Sequence, residues 1–141
     1  MAIRSAQAEW TGDLKAGKGT MKFGGGAFVG QYSFASRFEE GVGTNPEELI
    51  AAAHAGCFSM AFANKLASAG HTPTRVSTTS KVHLTKGDAG FGISLIELEC
   101  DAQVPGIDEA QFQSIADDAK KTCPVSRVLT GTEISLKARL V

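Results

Sequence analysis

From Leu49 to Phe62 nearly every residue is apolar or small, with only His54 and Ser59 interrupting the run. A helix lacking a polar face has to be enclosed by protein. In so short a chain, a second subunit is expected to supply part of that enclosure. The helix start is marked by Gly43-Thr44-Asn45-Pro46-Glu47-Glu48, with Asn45 as N-cap, Pro46 in the first turn and Glu48 at the third position. It should run to about Ala69, where Gly70 offers a C-terminal stop and Pro73 prevents a return.

Elsewhere the period changes from helix to strand. Thr20-Met21-Lys22-Phe23 and Ala27 to Tyr32 flank Gly24-Gly25-Gly26 and read as a hairpin with a loose turn. Nothing after the triplet resembles the Lys-Ser/Thr helix start of a phosphate-binding loop. Between Thr74 and Lys86, Val76, Thr78, Ser80, Val82 and Leu84 alternate with Arg75, Lys81, His83 and Thr85. After the turn Gly87-Asp88-Ala89-Gly90, the segment Phe91 to Val104 places Ile96, Leu98, Cys100, Ala102 and Val104 on one side. Ile107 to Lys121 is helical with Asp108 as cap, Cys123-Pro124 opens a short helix through Leu129, and Thr132 to Leu140 alternates again. This order predicts an α+β fold with antiparallel sheet, in one domain spanning residues 1–141.

Composition narrows the function classes. The chain has 43% hydrophobic and 21% charged residues and a formal net charge of −1, with no Lys/Arg cluster to suggest a nucleic-acid surface. Met1 to Gln7 lacks the apolar core of an export signal, and the longest apolar stretch is too interrupted to span a bilayer. The expected setting is the cytoplasm. Three cysteines without close spacing fit neither a disulfide scaffold nor a zinc framework, and paired thiols in a reducing compartment are more often catalytic or redox-sensing.

The three thiols differ in setting. Cys100 lies on the apolar side of a strand and reads as inert core. Cys123 precedes a proline at a helix start, where backbone N–H groups and the helix dipole favour a thiolate; a small cap residue that happens to be cysteine explains the pattern equally. Cys57 is mid-helix, where burial disfavours the thiolate, so reactivity requires a positive partner. Arg37, between Phe34 and Phe38, is the most suggestive candidate, although a surface arginine beside Glu39 and Glu40 fits the same residues. Glu48 is accounted for by the helix cap, and it lies about 180° around a straight helix from Cys57, roughly 13 Å along it. Both can serve one site only if different chains supply them or the helix bends. His54 shares a face with Cys57, but two ligands are too few for zinc, so no metal or cofactor is expected and His54 reads as hydrogen-bonded in the core or the mouth of the site.

The joined stretch Asn45-Pro46-Glu47-Glu48-Leu49 and Ala53-His54-Ala55-Gly56-Cys57-Phe58-Ser59, with Asp88-Ala89-Gly90-Phe91, Val104-Pro105-Gly106-Ile107-Asp108 and Cys123-Pro124-Val125-Ser126, resembles the osmotically inducible protein C (OsmC) family of hydroperoxide reductases. It is more similar to that branch than to the sister organic hydroperoxide resistance proteins. The resemblance implies an intertwined homodimer with six-stranded sheets around central helices and two sites at the interface. It also implies roles: Cys57 peroxidatic, Cys123 resolving, Arg37 activating the thiolate, Glu48 orienting the arginine. The chemistry would be thiolate attack on the peroxide, a Cys57 sulfenic acid, a Cys57–Cys123 disulfide, and reset by an external dithiol such as a lipoylated protein. Apolar walls from Leu49, Phe58, Met60 and Phe62 are expected to favour organic hydroperoxides. The alternatives are a redox-sensing or small-molecule-binding dimer whose dithiol signals without turning over, and a purely structural dimer.

Overall fold

The computed structural model describes all residues 1–141, which form two three-stranded sheets and four helices. The chain divides into two units, residues 1–49 and 50–141.

In the first unit, strands β1 (Ala6–Thr11), β2 (Lys18–Phe23) and β3 (Phe28–Ser33) form an antiparallel meander, and Gly24–Gly26 make a 3-10 turn between the last two. The hairpin expected around the glycine triplet is therefore present; β1 was not read from the sequence. In the centre of the sheet Gly19 pairs with Trp10 on one side and Tyr32 on the other. A Cβ at Gly19 would lie 2.4 Å from the Tyr32 ring, so only glycine lets the tyrosine lie across the strand toward Trp10, 5.2 Å away between ring centroids. After β3 comes a short helix, α1 (Phe34–Phe38), that the sequence pattern did not reveal. Ser33 and Ser36 close a reciprocal cap on it: Ser36 N–H donates to Ser33 Oγ (3.2 Å) and Ser33 N–H to Ser36 Oγ (2.8 Å). Ser36 Oγ also donates to the Thr44 carbonyl at 2.7 Å. The unit ends in the first turn of α2 (Pro46–Ser68), capped as expected by Asn45, whose Oδ1 accepts from Glu48 N–H at 2.9 Å.

In the second unit α2 is ended at Gly70, which has φ +89°, a conformation that Cβ-bearing residues avoid. His71 N–H reaches back to Leu66 O (2.9 Å) and Gly70 N–H to Ala67 O (3.0 Å), satisfying the last carbonyls in a Schellman cap. Strands β4 (Arg75–Gly87) and β5 (Gly90–Gln103) form the predicted antiparallel hairpin. Then α3 (Glu109–Thr122), capped by Asp108, and α4 (Pro124–Val128) lead to β6 (Glu133–Leu140). Here the expected antiparallel sheet needs correction: β6 runs parallel to β5. The two helices between them act as the crossover that a parallel pair requires, whereas a tight turn would have forced the opposite sense.

The core of this unit joins Phe58, Phe62 and Leu66 of α2 to Leu98, Cys100 and Ala102 of β5 and to Phe112, Ala116 and Ala119 of α3. Phe62 meets Phe112 at 5.3 Å between ring centroids. Cys100 is fully buried, and burial pushes its thiol up, which suits the inert role read from its strand face.

Candidate active site

The core of the second unit brings two of its three sulfurs together. Helix α2 carries Cys57 one turn after His54, and the end of α3 carries Cys123 into the break before Pro124. Cys123 Sγ lies 2.9 Å from Cys57 Sγ, although the residues are 66 positions apart in sequence. Both are free thiols, Cys123 fully buried and Cys57 partly accessible. This is the spacing of a dithiol poised to close, with one sulfur that a solute can reach and one that it cannot.

The two thiols are driven in opposite directions. Burial pushes Cys57 up, and the hydrogen bond and charge of Cys123 add to this, against an opposing contribution from Val125 N–H. At Cys123 burial again acts upward, but it is outweighed by the hydrogen bond with Cys57 and by the Ser126 N–H, Ser126 hydroxyl and Val125 N–H, so this thiol is lowered. The backbone contributions of Val125 and Ser126 are of the kind anticipated for a cysteine at a helix start. Of this pair, therefore, Cys123 is the thiol favoured as a thiolate, and no cation is among the causes acting on Cys57.

His54 is fully buried, and its Nε2 lies 2.7 Å from Ser126 Oγ. Burial lowers its pKa, and its Nδ1 has no partner. The histidine thus has the hydrogen-bonded core place foreseen for it. Ser126, which links it to Cys123, was not singled out from sequence; its signal was its position three residues after Cys123, one helical turn on.

In the first unit the arginine and a carboxylate do meet, but the carboxylate is not the expected one. Arg37 donates from Nη2 to Glu47 Oε1 (2.8 Å) and from Nε to Glu47 Oε2 (3.2 Å), a two-point clamp. Glu47 is buried and Arg37 is about one-third exposed at its side chain. Glu48 turns away to accept from Thr44 Oγ1 at 2.9 Å. The partner of Arg37 is accordingly corrected from Glu48 to Glu47. Adjacent residues on a helix point about 100° apart, so only one of the two can face α1.

The expected apolar walls also change. Phe58 and Phe62 are fully buried in the core and cannot line a cleft, and Met60 is 77% exposed on the outside of α2. An apolar cleft of about 280 Å³ lies instead at Arg37, walled by Trp10, Leu14, Tyr32, Phe34 and Phe38.

The family model described as OsmC-like protein matches residues 39–138. The chain is 51% identical over 138 residues to the peroxiredoxin OsmC of Escherichia coli (strain K12), covering 97% of this chain and 96% of that protein. It is 40% identical over 96 residues to an organic hydroperoxide resistance protein of Xanthomonas axonopodis pv. citri, covering 64% of this chain and 63% of that protein. In structure it is similar to the organic hydroperoxide resistance protein OhrB of Bacillus subtilis, with a TM-score of 0.76 over 98% of this chain and all of the other; at 23% identity, that likeness bears on the fold alone.

Proposed function

From the premise that the chain belongs to the OsmC-like protein family, we propose that it is a thiol-dependent peroxidase reducing organic hydroperoxides through Cys57 and Cys123. The observation that carries the assignment of the two sulfurs is their 2.9 Å separation, with Cys57 the accessible member. A peroxide has to reach the attacking sulfur, so Cys57 is the nucleophile. The buried Cys123 is the sulfur that condenses with the oxidised one.

Arg37 supplies the cation that Cys57 lacks in its own unit, and Glu47 fixes the plane of the guanidinium by its two-point bond. The thiolate attacks the outer peroxide oxygen, the O–O bond breaks, and the alcohol leaves with a proton while Cys57 becomes a sulfenic acid. Cys123 then forms the disulfide with loss of water, and an external dithiol, a lipoylated protein in the family's manner, restores both thiols. The aromatic cleft at Arg37 suits an alkyl or aryl tail, whose burial favours organic over hydrogen peroxide. The working form is a cytoplasmic homodimer in which residues 1–141 of each copy act as one domain.

The test is mass spectrometry after one equivalent of cumene hydroperoxide, together with peroxide consumption under excess dithiol. A Cys57–Cys123 linked peptide and many turnovers are expected. Cys123→Ser should give one rapid turnover and stop at the sulfenic acid. A disulfide that forms without repeated turnover would favour the sensing alternative.

A further inference from the structure

The turn between β1 and β2 presents a leucine to solvent, and the hydrogen bonds beneath it leave that leucine little freedom. Asp13 Oδ1 accepts from Lys15 N–H (2.9 Å) and Ala16 N–H (2.7 Å), and Gly17 N–H closes the turn on Asp13 O at 2.9 Å. The indole N–H of Trp10 donates to Gly12 O at 3.0 Å and to Asp13 O at 3.3 Å. Gly17 lets the turn lie this close, since a Cβ there would meet Asp13 O and stand 2.8 Å from Trp10 Nε1. Leu14 sits in the middle of the turn and is 60% exposed, yet it walls the cleft at Arg37. The other apolar walls are half-buried rings in two pairs: Trp10 with Tyr32, 5.2 Å between centroids, and Phe34 with Phe38, 4.9 Å. Trp10 thus gives its one polar atom to the turn and its ring to the cleft. The Arg37 guanidinium carbon is 5.2 Å from the Phe38 ring centroid, so the positive charge stands at one ring of the same compartment.

We propose that Leu14 is a specificity residue, the outer wall of a subsite for the hydroperoxide tail that takes one aromatic ring or a compact branched alkyl group. The inference rests on the peroxidase reading above, in which Arg37 meets the peroxide group. Most of the Leu14 side chain faces water in the free protein, so its apolar surface is available to a ligand that enters beside it. The cleft holds about 280 Å³, just below the range of about 300–1,000 Å³ common for small-molecule sites, so a tail much longer than a ring emerges past the rim. Its ring walls offer the edge and face contacts that suit an aryl group. Because the turn is already closed by its own hydrogen bonds, little ordering is left to be done when the tail arrives. Leu14 meets the part of the substrate that does not react. Its contribution is therefore to binding, felt equally before and during the reaction, and it appears in KM more than in kcat. Hydrogen peroxide has no tail and gains nothing from it.

Trp10 is the single tryptophan of the chain, so its fluorescence reports on the cleft directly. The test titrates 2-phenylpropan-2-ol, the alcohol released from cumene hydroperoxide, against the unaltered protein and against Leu14→Ala, Leu14→Gln and Leu14→Met. On the same proteins kcat/KM is measured for cumene hydroperoxide and for hydrogen peroxide under excess dithiol. In the unaltered protein the alcohol should change Trp10 emission saturably. Leu14→Ala and Leu14→Gln should weaken that binding about fivefold and lower the ratio of kcat/KM for cumene hydroperoxide to that for hydrogen peroxide about fivefold, through KM. Leu14→Met, apolar and of similar volume, should restore both. Leu14 is mostly exposed, so these replacements leave the fold intact, which an unchanged urea midpoint checks. An unsaturable or absent change in emission, an unchanged ratio in Leu14→Ala, or Leu14→Gln binding as well as the unaltered protein overturns the inference. Should the alcohol bind as expected while the unaltered protein consumes neither peroxide, the peroxidase reading fails, and with it the role of Leu14 in peroxide choice, while the ring subsite itself stands.

Discussion

Which of two adjacent glutamates matters is a question that a single residue's orientation decides. Glu47 clamps Arg37 at two points, whereas Glu48 bonds Thr44 at the start of its own helix. Glu47→Gln should therefore lower peroxide consumption by at least about tenfold, because a buried two-point charge pair is replaced by a weaker contact. Glu48→Gln should change it by less than about twofold, the expected size for an exposed contact. Steady-state consumption of cumene hydroperoxide by the two variants checks this; equal losses would return the role to Glu48. His54 gives a second residue-scale expectation. Burial holds its pKa below the ordinary 6.5, so the unfolded chain takes up a proton there before the native one does. Stability is full above about pH 6.5 and is lost as pH falls toward the folded-state value. Urea unfolding midpoints at pH 5 and 7 should differ less in His54→Gln than in the unaltered protein. At this scale the two cysteines stood out by their settings, whereas their pairing and the role expected of Arg37 came only with the family resemblance. The choice between Glu47 and Glu48 was not legible, since it depends on where α1 lies, and Ser126 looked like any serine.

Elements are legible when their period is strong and their ends are chemically marked. Asn45-Pro46 and Gly70 bound α2, and the alternation from Val76 to Leu84 gave a strand with the correct face toward the core. Helix α1 escaped because it is a single turn and its cap uses Ser36, where a glutamate or glutamine would have signalled it. The parallel sense of β6 escaped because alternation is the same in either direction; only the length of the helical connection hints at it. The join between α1 and α2 makes a prediction at this scale. Asn45 caps Glu48 with its oxygen and donates from Nδ2 to the Ser36 carbonyl at 3.0 Å, so one side chain both starts α2 and ties the Arg37 helix to it. Asn45→Ala should cost about 1 kcal/mol in denaturant unfolding. It should also lower peroxide consumption while leaving the Cys57–Cys123 disulfide able to form, because Cys57 lies about three turns along α2 from the cap and Cys123 follows α3. Asn45→Asp keeps the cap oxygen but not the donor, and should recover stability more than activity.

At the scale of the molecule, one copy leaves surfaces and groups that the proposed homodimer would use. Residues 50–141 hold a dithiol whose accessible member is pushed away from ionisation, and residues 1–49 hold a clamped arginine at an apolar cleft. Each chain contains two three-stranded sheets with open edges, which natural proteins cover or pair. Along α2, Ala52, Ala53, Gly56 and Met60 stay exposed, Met60 at 77%, although the helix was expected to be enclosed on every side. Gly56 has nothing within 4 Å of the place a side chain would occupy, so a second helix could approach closely there. The proposed partner copy would answer these together, by covering the bare face of α2 and pairing the open sheet edges. Light scattering should give twice the 14.7 kDa of the chain. Met60→Glu places a charge in that face and should shift the protein toward the single chain, with peroxide consumption falling in step. The Cys57–Cys123 disulfide should still form under a strong oxidant, since both sulfurs belong to the same unit. A fully active single chain at micromolar concentration would show that no second copy is needed, and that Arg37 reaches Cys57 within one chain.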